Sequence, residues 1–211
     1  MLIFYMNRGK TGSNTVDWRR YDALLFAESN EDMSKYFTVS KSSGTPPLTI
    51  YEKTSESLHS ARVDASSSSS ASTHKMSLRN VTEATDIDTT AQSTRPLFKF
   101  QLTGLPSVNV VFVHLKSGNK KIADEEIVGA VNEMNKIQNE GKPTLWVGDF
   151  NRAEAKDLTL IYNGGGQANW YLDRVYVSNW DKKNKCDVKC VSRNIFDHHH
   201  EGLEIDVEYK Y

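Results

Sequence analysis

The chain has 211 residues, 38% of them hydrophobic and 25% charged, with a formal net charge of -1. That composition suits one globular domain over residues 1–211 with a substantial core, and the near-neutral balance means that any polyanion partner needs lysines and arginines gathered on one face. No apolar run approaches the length of a membrane span.

Met1 to Met6 is too short for a signal peptide and lacks a basic leader, so it reads as a first strand running into the loop Asn7-Arg8-Gly9-Lys10. Asp22 to Glu28 is short and continuously apolar, as expected of a strand buried on both faces, and delivers Glu28 at its end. Between 31 and 95 the pattern predicts strands near Tyr36 to Ser40, Leu48 to Lys53, His59 to Asp64 and Lys75 to Val81, with Pro46-Pro47 turning between the first two. The serine run Ser66 to Ser70 has no packing value and predicts a flexible loop around 65–73.

From Pro96 the alternation predicts a strand to Leu102, and then a strongly β-prone strand from Val108 to Leu115 that runs into His114-Leu115-Lys116-Ser117-Gly118. Ile122, Ile127, Val128, Val131, Met134 and Ile137 recur at near-helical spacing until Gly141 supplies a stop, so an amphipathic helix covers one face of a sheet. Thr144 to Val147 reads as a buried strand, and the chain then turns at Gly148 to present Asp149 just past the strand end. Asp149 and Asn151, two apart, would project to one side of extended chain, an acceptor and a donor suited to gripping a phosphate and its attacking water. A short helix is expected over Ala153 to Tyr162, a flexible connection at Gly164 to Gly166, and strands over Leu172 to Ser178, Cys186 to Val191 and Leu203 to Tyr209. Asp197-His198-His199-His200 precedes the last of these. Cys186 and Cys190 allow either a hairpin disulfide, which would argue for secretion, or two free thiols.

Asn7, Glu28, His114 in VHLKSG, Asp149 and Asn151 in GDFNR, Asp173 in LDRVYVS and Asp197-His198 in DHHHEGLEI follow one another in an order that resembles the endonuclease/exonuclease/phosphatase superfamily, the DNase I-like fold. GDFNR, Arg95-Pro96 before a strand and the loop from Asn7 to Gly9 are similar, more narrowly, to the nuclease subunit of cytolethal distending toxins. The resemblance implies a four-layered α/β/β/α sandwich with its site on the rim where strand ends converge. It implies that Glu28 and Asp197 contact Mg2+, with Mn2+ or Ca2+ as substitutes, and oxygen donors are what such hard cations take. Asn7 and Asn151 would bind the phosphate, with Lys116 and Arg152 beside them. Asp149 would position or deprotonate the attacking water, and His198, oriented by Asp173, would act near the scissile phosphate. His114 would be the second histidine, contacting phosphate or protonating the leaving oxygen. His200-Glu201-Gly202-Leu203 aligns as well as His198, so the register stays open. Two positions depart from the family pattern: Phe196 stands where serine usually precedes the final Asp-His, and Ala27 where glutamine is common.

Three functions are compatible with this set. One is an Mg2+-dependent endonuclease on DNA, with Arg8, Lys10, Lys116, Lys120, Lys121 and Arg152 as backbone contacts and, if toxin-like, a delivery partner. The second is a phosphatase or phosphodiesterase acting on a phosphorylated lipid, a phosphoinositide, or another small molecule. The third is a catalytically inactive binding protein on the same scaffold, suggested by the altered final motif.

Overall fold

The computed structural model describes residues 1–7, 18–28, 37–43, 48–53, 63–64, 77–78, 98–102, 105, 107–137, 141–164, 171–180, 186–197 and 200–209. Thirteen strands are described: β1 (Leu2–Asn7), β2 (Ala23–Ala27), β3 (Phe37–Ser43), β4 (Leu48–Lys53), β5 (Val63–Asp64), β6 (Ser77–Leu78), β7 (Phe98–Phe100), β8 (Asn109–His114), β9 (Thr144–Asp149), β10 (Thr159–Asn163), β11 (Asp173–Ser178), β12 (Cys186–Asp197) and β13 (His200–Tyr209). One α-helix, α1 (Lys120–Ile137), lies among them.

The strands form a six-stranded sheet in the order β12-β13-β1-β2-β4-β3, a five-stranded sheet in the order β10-β11-β9-β8-β7, and the ribbon β5-β6. The two large sheets face each other across one core, where Ile3, Tyr5, Leu25, Leu203 and Ile205 meet Phe112, Leu145, Val147, Val175 and Val177. Strand periodicity decides the outer layers. On the five-stranded sheet the alternate residues Val111, Val113, Trp146 and Tyr176 pack under Ala123, Ile127, Ala130, Val131 and Met134 of α1. The apolar stripe expected at Ile127, Val131 and Met134 therefore does cover a sheet face, whereas Val128 is exposed. The helix begins under a side-chain cap, since Asn119 Oδ1 accepts the Ile122 N–H at 3.2 Å, and Gly141, expected as its stop, has left-handed backbone (φ 58°) beyond residues 138–140, which lie outside the described ones.

On the outer face of the six-stranded sheet, Phe4 packs against Trp18, Tyr21 and Phe26 with ring centroids 5.3, 5.1 and 6.4 Å apart. Among the described residues this face is covered by the 3-10 turn Trp18–Arg20 and its aromatics rather than by an α-helix. The fold is a mixed α/β sandwich of two sheets with one helical layer described.

Several segments differ from the expectations above. Ala153 to Tyr162 is not a helix: turns lead into β10, which pairs with β11 and carries a register shift between Leu160 and Tyr162. Its apolar residues Leu160 and Ile161 mimic a helical face, but Leu160 is exposed and sheet pairing decides the structure. The last two strands are longer than expected and form one hairpin, β12 against β13, with a register shift between Ser192 and Phe196. The disulfide is ruled out. Cys186 and Cys190 lie on the same strand, about 13 Å apart at the usual rise per residue, and Cys190 is a free, half-buried thiol. No helix among the described residues is long and apolar enough to cross a membrane. The serine-rich stretch 65–73 and Pro46-Pro47 lie outside the described residues.

Candidate active site on the strand-end rim

The inter-sheet faces of the strands carry apolar residues along their length and polar ones at one end. On β1 the inward series is Ile3, Tyr5, Asn7. On β8 it is Val110, Phe112, His114, and on β9 it is Leu145, Val147, Asp149, while β11 opens with Asp173 before Val175. Registers bring the ends together: His114 pairs with Asp149, Asp149 with Asp173, and Asn7 with Ala27, the residue before Glu28. Asn7, His114, Asp149 and Asp173 are all buried. Gly148 permits this convergence. It has φ 148°, and a Cβ there would lie 1.8 Å from the Val113 carbonyl oxygen, so β8 and β9 approach closely just where their polar ends begin.

Asp173 is the anchor of one half. Its Oδ1 accepts the Tyr5 hydroxyl at 2.7 Å, its Oδ2 accepts the Glu201 N–H at 2.8 Å, and His200 Nδ1 lies 3.2 Å from Oδ1. The histidine oriented by Asp173 is thus His200; His198 lies outside the described residues. His200 turns its Nε2 toward Asp149 Oδ2 at 3.9 Å and lies 3.3 Å from Asn7 Nδ2, which itself donates to Asp149 Oδ2 at 3.2 Å. Burial works to lower the His200 pKa, but the Asp173 hydrogen bond and the charges of Asp173, Asp149 and Glu28 outweigh it and push the imidazole up to about 9. At neutral pH His200 is therefore an imidazolium. Its Nε2–H and the Asn7 amide are then two donors side by side, both beside the same carboxylate oxygen. Burial raises Asp149 above the ordinary carboxylate value, opposed by His200 and His114 and assisted by Asp173.

The other half joins β2 to β8. His114 Nε2 lies 3.2 Å from Glu28 Oε1 and 3.7 Å from Asp149 Oδ2. Glu28 has left-handed backbone (φ 56°), and its side chain is 32% exposed, the most accessible carboxylate of the group. Asn151 does not continue an extended strand: its φ is 45°, its N–H donates to Asp149 Oδ1 at 2.9 Å, and its side-chain amide donates to the Leu115 carbonyl at 2.7 Å. The side-by-side placement expected from strand alternation is replaced by an Asx-type turn. Arg152 and Lys116 are exposed on the two turns that Asn151 ties together. Asp197 ends β12 opposite His200. Arg8 and Lys10 lie outside the described residues.

Two arrangements can be weighed for a cation. Donor atoms of Asp149, Asp173 and His200 lie within 4.8 Å of one another and could hold a metal. Asp173, however, already accepts from Tyr5, His200 and Glu201, which leaves its oxygens little capacity for an ion. Oxygen donors with remaining capacity are a better match to a hard divalent ion. Asn7 Oδ1 is such a donor, buried and without a hydrogen-bond partner, and an orphaned acceptor of this kind costs about 1–3 kcal/mol unless something fills its lone pairs. Glu28 is the accessible carboxylate on the neighbouring strand end.

Sequence reasoning missed three residues. Tyr5 sits two before Asn7 and shares its face, which alternation alone could have revealed. Glu126 is 2% exposed, and its Oε2 accepts the Lys116 N–H at 2.7 Å. An acid beside Ile127 on the buried stripe of the helix was the signal. Arg174 is buried on the opposite face of β11 from Asp173.

No protein-family model matches the sequence, and a search of curated proteins finds none similar. Solved structures do match along the whole chain. A mannosyl-6-phosphatase from Bacteroides thetaiotaomicron is 11% identical with a TM-score of 0.58, covering 99% of this chain and 100% of that one. The cytolethal distending toxin of Haemophilus ducreyi is 13% identical with a TM-score of 0.57, covering 97% and 96%. An endonuclease/exonuclease/phosphatase family protein from Bacteroides thetaiotaomicron is 12% identical with a TM-score of 0.57, covering 100% and 95%.

Proposed function

Since the chain shares the DNase I-like fold of endonuclease/exonuclease/phosphatase structures, we propose that it is a divalent-metal-dependent phosphodiester hydrolase, an endonuclease acting on DNA. The observation that carries this reading is the placement of His200, held by Asp173, beside the buried carboxylate Asp149 on the rim that His114 and Glu28 complete. Water attacks phosphorus in line with the leaving oxygen, and no covalent intermediate with the protein forms. Asp149 orients the water and takes its proton, a task that its raised basicity favours. The His200 imidazolium, fixed by Asp173 and Tyr5 behind it, meets the negative charge that grows on the non-bridging oxygens. His114, poised against Glu28, acts on the leaving oxygen. Asn151 sets the Asp149 carboxylate through its N–H, and Arg152 and Lys116 flank the phosphate from the two turns.

Glu28 and Asn7 Oδ1 are the residues that would hold the cation, Mg2+ or its substitutes Mn2+ and Ca2+, with Asp197 as the further acid. The ion's contribution is to neutralise phosphate charge and so lower the barrier to attack. The four-layered form of the sandwich, with a second helical layer over the six-stranded sheet, belongs to the same reading, as does a delivery partner of the kind a toxin subunit requires.

A second reading, a phosphatase acting on a phosphoinositide or other phosphorylated small molecule, is favoured by one observation. The lysines that open α1 are each paired with an acid one turn on, Lys120 with Asp124 at 2.8 Å and Lys121 with Glu125 at 3.8 Å, which weakens that flank as a track for a long polyanion. Plasmid nicking in Mg2+ against EDTA, run beside phosphate release from inositol phospholipids, separates the two. The nuclease reading expects nicking that EDTA and Asp149→Ala both abolish. Phosphate release without nicking would replace it by the second reading, and neither activity would leave a binding protein.

A further inference from the structure

The turn after Asp149 holds residues that do not favour its backbone. Asn151 and Arg152 are left-handed, with φ 45° and 69°, and so is Tyr171, with φ 53°. Asparagine tolerates that region, but a residue such as arginine or tyrosine loses on the order of 1 kcal/mol or more there, so the surroundings must hold it. Tyr171 lies beside this turn, because the next residue, Leu172, accepts the Phe150 N–H at 2.7 Å.

Arg174 reaches both segments. It follows Asp173 on β11, points to the opposite face of the sheet and is 6% exposed. Its Nη1 donates to the Ala153 carbonyl and, at 3.1 Å, to the Tyr176 hydroxyl, while its Nε donates to the Tyr171 carbonyl at 3.1 Å. Among the described residues no carboxylate pairs with it, so this buried charge is spent largely on backbone oxygens. A planar guanidinium serves the two carbonyls from separate nitrogens in fixed directions, whereas a lysine ammonium would have to reach both from a single nitrogen. The Ala153 N–H closes the turn on Phe150 O at 2.8 Å.

We propose that Arg174 is a positioning residue that clamps the exit of the Asn151-Arg152 turn to the Tyr171 segment, and so keeps the Asn151 N–H on Asp149 and the Asn151 side chain on Leu115. It touches no reacting atom. Its effect on turnover rests on the hydrolase reading above, whereas its effect on the turn does not.

The test is Arg174→Lys, assayed with bis-p-nitrophenyl phosphate in Mg2+ and by amide hydrogen exchange. The clamp predicts kcat lower by at least tenfold with KM within threefold. It also predicts exchange at Asn151 and Ala153 at least tenfold faster, with Val111 and Val147 still protected. Adding Tyr171→Gly, which removes strain at the clamped residue, recovers at least threefold in kcat, a rescue that a purely structural arginine would not give. Should Arg174→Lys not fold, Tyr176→Phe removes only one acceptor of the guanidinium, and exchange at Ala153 rises at least threefold. Unchanged exchange in the folded variant, or kcat within twofold of an active parent, overturns the proposal. If the parent hydrolyses no phosphoester, the hydrolase reading falls and exchange alone decides the clamp.

Discussion

Asp173 accepts from Tyr5, His200 and the Glu201 backbone, so the direction of the His200 ring is set from behind before any substrate arrives. His200→Ala is therefore expected to lower kcat by about 10²–10⁴, the usual span for a lost proton-transfer or charge-stabilising group, and to cost at least tenfold more than His198→Ala. Steady-state kinetics on a single phosphodiester checks this, and equal losses would return the choice of register to His198. Asp149, His114 and Asp173 were legible as polar residues at the ends of apolar runs, whereas Asn7 was placed in the loop after the first strand and is instead its last, inward-facing residue. The choice between His198 and His200 was not legible. It depends on where β13 begins and on the irregular pairing between Ser192 and Phe196, which three identical residues in a row cannot encode. The closeness of Asn151 to Asp149 was legible but not its geometry, since a left-handed turn breaks the two-residue repeat on which the expectation rested.

At the scale of elements, β1, β2, β8, β9, β11 and α1 followed from apolar runs or periodicity because each buries a continuous face. Ala153 to Tyr162 did not, because edge-strand pairing leaves part of its apolar content exposed and the residue pattern looks helical. What brings the polar ends of β8 and β9 together is close backbone approach at Gly148. Gly148→Ala would set a Cβ 1.8 Å from the Val113 carbonyl, so β8 and β9 must separate at His114 and Asp149. A loss of about 3 kcal/mol or more is expected in urea unfolding, beyond the ordinary range for a surface substitution. A change below 1 kcal/mol would mean that the strands are not packed as described. Glu126→Ala tests the neighbouring link between α1 and the turn after His114. It removes the acceptor of the Lys116 N–H, and should cost about 1–3 kcal/mol. Glu126→Gln, which keeps an acceptor oxygen, should recover most of it.

For the whole molecule, the site is a store of buried charge whose balance depends on solution conditions. If Glu28 and Asn7 hold a divalent ion, Mg2+ at a hundred times its Kd adds about 2.7 kcal/mol to unfolding free energy by mass action, and Glu28→Gln removes most of that gain. Thermal unfolding with and without Mg2+ reads it independently of any substrate. The pH response has a definite sign. His200 titrates near 6.5 when unfolded and at about 9 when folded, so folding favours the protonated ring. That contribution is fully present below pH 6.5 and is lost as pH rises through 9. The clean measure is the stability of the parent protein minus that of His200→Gln, because the rest of the chain cancels. The difference should fall by on the order of 2–3 kcal/mol between pH 6 and pH 10, with most of the fall above pH 7. A difference that is flat across this range would mean that His200 is not held as a cation by Asp173 and Asp149. The charge stabilisation assigned to it in phosphodiester cleavage would then have no source, because a neutral imidazole on the same rim could only accept or relay a proton.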